Sequence, residues 1–264
     1  MPDAPGAPLI SVVMPNLDGE RHLEKAIGSF LEQDHTARQL VIVDGGSRDG
    51  SHRIIERHAA AHPEIAWVRE PDAGLSDAIN RGIARARGEV IGYMGSDDLL
   101  YPGLFACIAR NLRLVDFDAI YFDSYTWHLR DNRMILRRCP DLEFTRRNLL
   151  EYGTIVGLQN IYFRRRVFEA HRFDADNKYS MDYEFYLRIS GENYLYMHAD
   201  AIASINIFDG NITDRLGDTR QADEGAAVAR RYATGGERLF FQRRRSPLRR
   251  LARFFGTMLR KTGV

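Results

Sequence analysis

Between residues 9 and 94, four short apolar runs alternate with three stretches of helical periodicity, and that order narrows the fold more than any other feature. The runs, residues 9–14, 40–43, 65–68 and 90–94, are rich in Val and Ile and too short for helices, so strands are expected. Leu23, Ala26, Ile27, Phe30 and Leu31 recur at helical spacing, as do Leu75, Ala78, Ile79, Gly82, Ile83 and Ala86. Residues 51–58 form a shorter helix that Asp49 or Ser51 is placed to cap. Strands joined by helices at such short intervals pair in parallel, with helices on both faces. The expected fold is α/β and Rossmann-like, with a mostly parallel central sheet, over residues 9 to about 100. The rest is less regular. Leu104, Phe105, Ile108 and Leu112 mark a helix, and residues 119–122 a strand. A hairpin is expected from 125–129 and 134–138, a strand at 160–163, a helix at 181–189 and an extended region at 194–207. This mixed second half is expected to shape the acceptor side of a cleft.

The fourth run leads straight into Gly95, Ser96, Asp97 and Asp98. Ligands of open α/β sheets bind in the crevice outside the carboxyl ends of the strands. Two adjacent carboxylates there repel each other unless a cation joins them. A divalent metal carrying a diphosphate supplies that charge through hard oxygen ligands. A solvated turn or helix cap is the plain alternative for any Asp pair. The apolar strand before this one, and Pro102 opening the next helix, favour a site. Asp44 ends the second strand in the same way, and an acid so placed can accept from a nucleobase N–H or a ribose hydroxyl. Glu70, Pro71, Asp72, Ala73 and Gly74 join the third strand to the third helix, where Asp77 is followed by Asn80 and Arg81 one turn on. A solvated first turn accounts for those acids equally well. Their position on the same sheet edge as Asp44 and Asp98 argues for the cleft. Neither GxGxxG nor GxxxxGK[ST] occurs, which disfavours hydride transfer and P-loop chemistry.

Composition bounds the partners. A net charge of +1 is no footprint of a strongly basic nucleic-acid binder. The two cysteines, Cys107 and Cys139, have no metal-ligand spacing and no disulfide framework, which suits a reducing cytosol. The N-terminus lacks the leader of a signal peptide, and no apolar run approaches the roughly 20 residues of a membrane span. From Leu239 onward there is no acidic residue, and Arg243, Arg244, Arg245, Arg249, Arg250 and Arg253 surround an apolar stripe of Leu248, Leu251, Phe254, Phe255, Met258 and Leu259. Such a helix is expected either on an anionic membrane surface or packed on its own domain or a second subunit. The expected division is a tail at 1–8, a domain at 9–215 with halves 9–103 and 104–215, and a basic helical extension at 216–264. The expected location is cytoplasmic, peripheral on the membrane's cytoplasmic face.

In order, the segments PLISVVMPN, VIVDGGSRDGS, EPDAGLSDAINRGI and GEVIGYMGSDD resemble family 2 glycosyltransferases of the GT-A fold, continuously over residues 9–103 and more weakly to about 210. The resemblance implies inverting, metal-dependent transfer of a single sugar from a nucleotide-diphosphate donor, a UDP-sugar foremost. The acceptor it implies is a hydroxyl on a saccharide or lipid-linked saccharide, in cell-surface polysaccharide or glycolipid synthesis. Pro15 and Asn16 would line the nucleotide pocket, Asp44 would contact base or ribose, and Asp97 would lie near the ribose. Asp98 would coordinate the Mn2+ or Mg2+ that bridges the diphosphate. Asp72 and Asp77, with Asn80 on the same helix face, fall in a donor-pocket motif of one branch. The family often has a second acid where this chain has Gly45, so one nucleotide contact is in doubt. KYSMDYEFYLRI resembles the family's base-bearing helix, with Asp182 at the matching position and Glu184 as the nearby alternative. Processive members carry QxxRW and membrane spans. With tryptophan only at Trp67 and Trp127, single-sugar transfer is expected.

Two other classes compete. A sugar-phosphate nucleotidyltransferase would show a Gly- and Arg-rich loop after the first strand, which PNLDGER at 15–21 does not match. A non-catalytic nucleotide-sugar binding module would not need Asp97, Asp98 and Asp182 together.

Overall fold

Strand β1 (Ile10–Asn16) divides the core in two: Ile10, Val12 and Met14 point to one face of the sheet and Val13 to the other, all fully buried. Burying each such side chain contributes about 1.5–3 kcal/mol. On one side β1 pairs in parallel with β2 (Arg38–Asp44), which pairs in parallel with β3 (Ile65–Arg69). On the other side it pairs in parallel with β4 (Val90–Tyr93). Leu23, Ala26, Ile27 and Phe30 of α1 (Glu20–Leu31), Ile55 of α2 (Ser51–Ala61) and Phe105 and Ile108 of α4 (Leu104–Leu114) cover the Ile10 face. Ile79 and Ile83 of α3 (Leu75–Arg85) cover the Val13 face. The structure is a computed structural model and describes residues 6–208 and 212–237, with the side chains of 212–219 outside that description.

Beyond β4 the sheet turns mixed. β4 pairs antiparallel with β8 (Ile161–Arg164), and β8 antiparallel with β6 (Ala119–His128). β6 carries the short hairpin partner β7 (Arg133–Arg137) and pairs in parallel with β9 (Tyr196–Phe208). β9 then pairs antiparallel with β5 (Asp98–Leu100), so the strand order is β3-β2-β1-β4-β8-β6-β9-β5 with β7 to the side. That last pairing carries the second half of the chain back to Asp98.

The expected strand at 119–122 and the first hairpin arm are one strand, β6, whose polar residues Asp123 and Ser124 interrupt the apolar run without ending it. Two short helices, α5 (Arg146–Tyr152) and α6 (Arg165–Ala170), are too brief for a periodic signal; Thr145 caps the first through the Asn148 N–H. α7 (Met181–Ile189) packs against α8 (Ile212–Tyr232), which runs through the expected boundary at 215/216 and buries Ala226, Val228 and Ala229. Glu224 of α8 accepts from the backbone N–H groups of Tyr179 and Ser180, at 2.6 and 2.7 Å, and so caps α7. The basic helix expected after residue 239 lies outside the described residues. No described helix is long and apolar enough to cross a membrane.

Candidate active site

β1 and β2 end level with each other, Asn16 opposite Asp44, and the loops beyond them are laced together. Ser47 Oγ accepts from Asn16 Nδ2 at 3.0 Å and from the Asp18 N–H at 2.9 Å. The N-termini of α1 and α2 cap each other: the Glu20 N–H donates to Asp49 at 3.0 Å, and the Gly50 N–H donates to Glu20 at 2.9 Å. Asp44 is fully buried and takes the Gly46 and Ser47 N–H groups on Oδ1, at 2.9 and 2.7 Å. Its Oδ2 and the Oδ1 of Asn16 have no hydrogen-bond partner among the described residues. Two buried acceptors on adjacent strand ends lack a donor, a costly state for polar atoms.

A cavity of about 650 Å³ opens on this edge. Of the expected residues, Pro15, Asn16, Asp72 and Asp97 line it; Asp44, Asp98 and Asp182 are not part of the wall. Arg21 and His22 on the first turn of α1 also line it, as do Tyr93, Ser96 and Ile207. The periodicity of α1 gave no sign of Arg21 and His22, which precede its first apolar position, Leu23. The missing second acid beside Asp44 has a physical counterpart. A Cβ on Gly45 would lie 2.5 Å from Asp72 Oδ2, so the Asp72 carboxylate occupies the space such a side chain needs.

Asp77 and Asn80 were expected at the donor, but neither lines the cavity and both are committed elsewhere. Asp77 accepts from the Ala73 N–H at 3.0 Å and pairs with Arg81 at 2.8 Å, and these contacts hold its carboxyl below the usual range. Asn80 makes two bonds to the backbone of Phe173, donating to its carbonyl at 2.9 Å and accepting from its N–H at 3.0 Å. Asp77 shapes the loop before α3, and Asn80 ties α3 to the second half.

Asp97 and Asp98 sit where β4 gives way to β5. Gly95 lets them fold back: a Cβ there would come within 2.6 Å of Asp97 Oδ1 and 2.9 Å of Asp98 Oδ2. Burial and the adjacent Asp97 charge push Asp98 up to about 7. Burial also raises Asp97, with His22 pulling the other way. Asn206 of β9 donates to Asp98 Oδ1 at 3.2 Å and to Ser204 Oγ at 3.0 Å. Ser204 in turn donates to Asn160 at 2.6 Å, so a buried polar chain stands behind the carboxylate.

On α7, Asp182 and Glu184 are two residues apart and differently placed. Glu184 is buried, bonded to Arg188 at 3.0 and 3.2 Å and to the Tyr232 hydroxyl. Asp182 accepts from the Tyr183 N–H at 2.7 Å and from its own backbone N–H, and burial pushes it up to about 6. The Tyr93 hydroxyl is raised by burial first and then by the charges of Asp98, Asp97 and Asp182. All three carboxylates therefore lie within electrostatic reach of one cavity-lining ring.

Known proteins share this fold. An uncharacterized glycosyltransferase of Rickettsia typhi is 22% identical over 79% of this chain and 67% of its own length. Staphylococcus aureus TarS (residues 1–349), solved with UDP-GlcNAc, superposes with a TM-score of 0.70 at 17% identity, over 85% of this chain and 65% of that one. A mannosyltransferase of Pyrobaculum calidifontis, solved with GDP-Man and Mn2+, superposes with a TM-score of 0.62 at 20% identity, over 88% and 66%. The chain spans about two thirds of the length of each. The family model for glycosyl transferase family 2 matches residues 11–178, and with the fold shared by these structures it makes the chain a member of family 2 glycosyltransferases of the GT-A type.

Proposed function

We propose that this chain transfers a single sugar, with inversion, from a nucleotide-diphosphate donor to a hydroxyl acceptor, and that a divalent metal at Asp98 assists. The observation that carries this reading is the 650 Å³ cavity at the carboxyl edge, with unpartnered acceptors at its nucleotide end and three raised carboxylates around Tyr93. The nucleobase offers N–H donors, and Asn16 Oδ1, on the one residue of this pair that lines the cavity, lacks one. Asp72, in the space beside Gly45, takes the place of the second acid.

Asp97 and Asp98 fit a hard divalent cation, since they are adjacent and both raised by burial, Asp98 also by the Asp97 charge. Bound Mn2+ or Mg2+ would supply Lewis-acid neutralisation of the leaving diphosphate. Asp98 would hold the metal, with Asn206 orienting the carboxylate. Asp182 would take the acceptor's proton as its oxygen attacks, a role that suits a carboxylate raised to about 6. Glu184 cannot share that role while Arg188 and Tyr232 hold it. A UDP-sugar donor, as in the TarS complex, is the first candidate, and a saccharide or lipid-linked saccharide is the acceptor class.

Incubation with a panel of nucleotide-sugars, with and without Mn2+, tests the reading. Release of nucleoside diphosphate with the sugar joined to an acceptor supports it. Pyrophosphate release would instead indicate nucleotidyl transfer, and binding without turnover would indicate a binding module.

A further inference from the structure

The second half of the chain carries a side-chain cluster that sugar transfer leaves unused. β6 and β9 fall out of register around Asp123: Phe122 lies opposite Ala199, Asp123 opposite Ile202 and Ser124 opposite Ser204. Irregularities of this kind re-aim a side chain and are over-represented beside functional sites. Here the buried Asp123 Oδ1 faces His198 Nε2 at 3.2 Å and accepts from the Cys139 N–H at 2.8 Å. The His198 ring is held by Tyr121, stacked with centroids 4.9 Å apart and planes 9° from parallel. Cys139, two residues past β7, donates its thiol to the Phe122 carbonyl at 3.1 Å. One donor atom each from Asp123, Cys139 and His198 lies within 4.8 Å of the other two.

We propose that Asp123, Cys139 and His198 form a three-ligand site for a thiophilic divalent cation of the zinc class, with the fourth position open to solvent beside the exposed His198 ring. One sulfur, one nitrogen and one oxygen suit a borderline ion, whereas Mg2+ and Mn2+ prefer oxygen alone. Tetrahedral zinc with bonds of about 2.0–2.3 Å sets its ligand atoms roughly 3.3–3.8 Å apart. The Asp–His pair, at 3.2 Å, is close to that spacing, and the Cys139 sulfur, within 4.8 Å of both, has a short distance to close. The charges also balance. Binding M2+ breaks the Cys139 S–H bond, sends one proton to solvent and leaves a neutral centre of one cation, one thiolate, one carboxylate and a neutral imidazole.

Two other uses of the cysteine fit less well. A nucleophilic thiol needs a lowered value, and burial with the Asp123 charge pushes this one up to about 12. A disulfide has no partner, because Cys107 packs in the core on the opposite face of the sheet from Cys139. The site is distinct from the oxygen-only pair at Asp98, and it does not depend on the sugar-transfer reading. It adjoins the reaction centre all the same. The buried, unpartnered Tyr186 hydroxyl feels the charges of both Asp182 and Cys139, so a cation here would tie the hairpin exit to β9 one ring away from α7.

The test titrates the chelator-stripped full chain with Co2+ as a spectroscopic substitute for zinc. The expected result is a sulfur-to-cobalt charge-transfer absorption that saturates at one equivalent and is displaced by Zn2+. Cys139→Ser should abolish it, whereas Cys107→Ser and Asp98→Ala should retain it. His198→Gln, at an exposed position, should weaken Zn2+ binding by at least about tenfold by calorimetry. Melting curves verify that each variant is folded. Absence of the band in the native chain, its persistence in Cys139→Ser, or unchanged Zn2+ affinity in His198→Gln would each overturn the site.

Discussion

The α7–α8 seam and the carboxyl edge of the sheet both bury acids, and they treat them in opposite ways. At the seam, Glu184 is met by the Arg188 guanidinium and the Tyr232 hydroxyl. At the edge, Asp97 and Asp98 crowd each other, and Asp98 is met by neutral donors, the Asn206 amide and the Gly95 and Ile207 N–H groups. Withdrawing a carboxylate from water is costly unless a cation compensates, so the seam is self-sufficient and the edge is not. The difference separates structure from chemistry: a paired acid holds helices together, whereas acids gathered around one cavity-lining ring call for a cation from outside. Asp182 belongs with the edge, although it stands on the same helix as Glu184.

The largest expected effect breaks the comparison at the edge. Asp98→Ala should lose donor turnover by orders of magnitude while the protein stays folded. Undiminished activity in this variant, or in excess chelator, would remove the metal-assisted reading. The pH dependence of stability sharpens the point. Asp98 rises from 3.8 to about 7 on folding, so the folded state favours its proton. Its stabilising contribution is therefore complete below about pH 4 and is lost as pH climbs towards 7. Metal-free protein should melt lower at pH 7.5 than at pH 5, Mn2+ should restore the loss, and Asp98→Asn should flatten the profile.

Next comes Asp182→Asn, which keeps shape and removes the proton acceptor. Donor binding should survive while transfer falls by roughly 10²–10⁴. In the unaltered enzyme, kcat/KM should rise with pH and level off above about 6, where Asp182 has lost its proton. A pH profile flat between 5 and 7 would separate Asp182 from the proton transfer.

How far the residues alone reveal this arrangement follows from the range of the contacts involved. Strands and helices of the first half are joined by short local connections, so β-branched runs and 3.6-residue spacing locate α1, the strand end at Asp44 and the turn after β4 that holds Asp97 directly. The Asp97–Asp98 pair is visible because charge repulsion between neighbours needs no tertiary knowledge. What stays hidden is made by chain segments far apart in sequence. Examples are the return of β9 to β5 that brings Asn206 to Asp98, the approach of Asp72 to Gly45, and the meeting of Asp123, Cys139 and His198. Helical spacing placed Asp77 and Asn80 on one face, but it could not say that Ala73, Arg81 and Phe173 would claim them.

A smaller effect is expected at the seam. Glu184→Gln replaces a charged partner of Arg188 with a neutral one and should cost about 1–3 kcal/mol of stability, read by urea titration. Turnover per folded molecule should stay near that of the parent. A dead but stable Glu184→Gln enzyme, beside an active Asp182→Asn one, would exchange the two assignments.

The smallest effect concerns Asn80, which family resemblance places at the donor and the structure places between α3 and Phe173. Both halves of its amide are used, each by a backbone group of a residue that is itself 4% exposed. Asn80→Ala strands a buried N–H and a buried carbonyl, so a loss of about 1–2 kcal/mol is expected. Because Phe173 stacks on Phe185 of α7, with centroids 4.4 Å apart, the loosening passes into the helix that carries Asp182. Transfer should fall modestly, in step with stability, and donor affinity measured by calorimetry should not change. If donor affinity drops while the melting temperature holds, Asn80 touches the donor after all. Full commitment to backbone partners would then no longer separate structural side chains from those that bind.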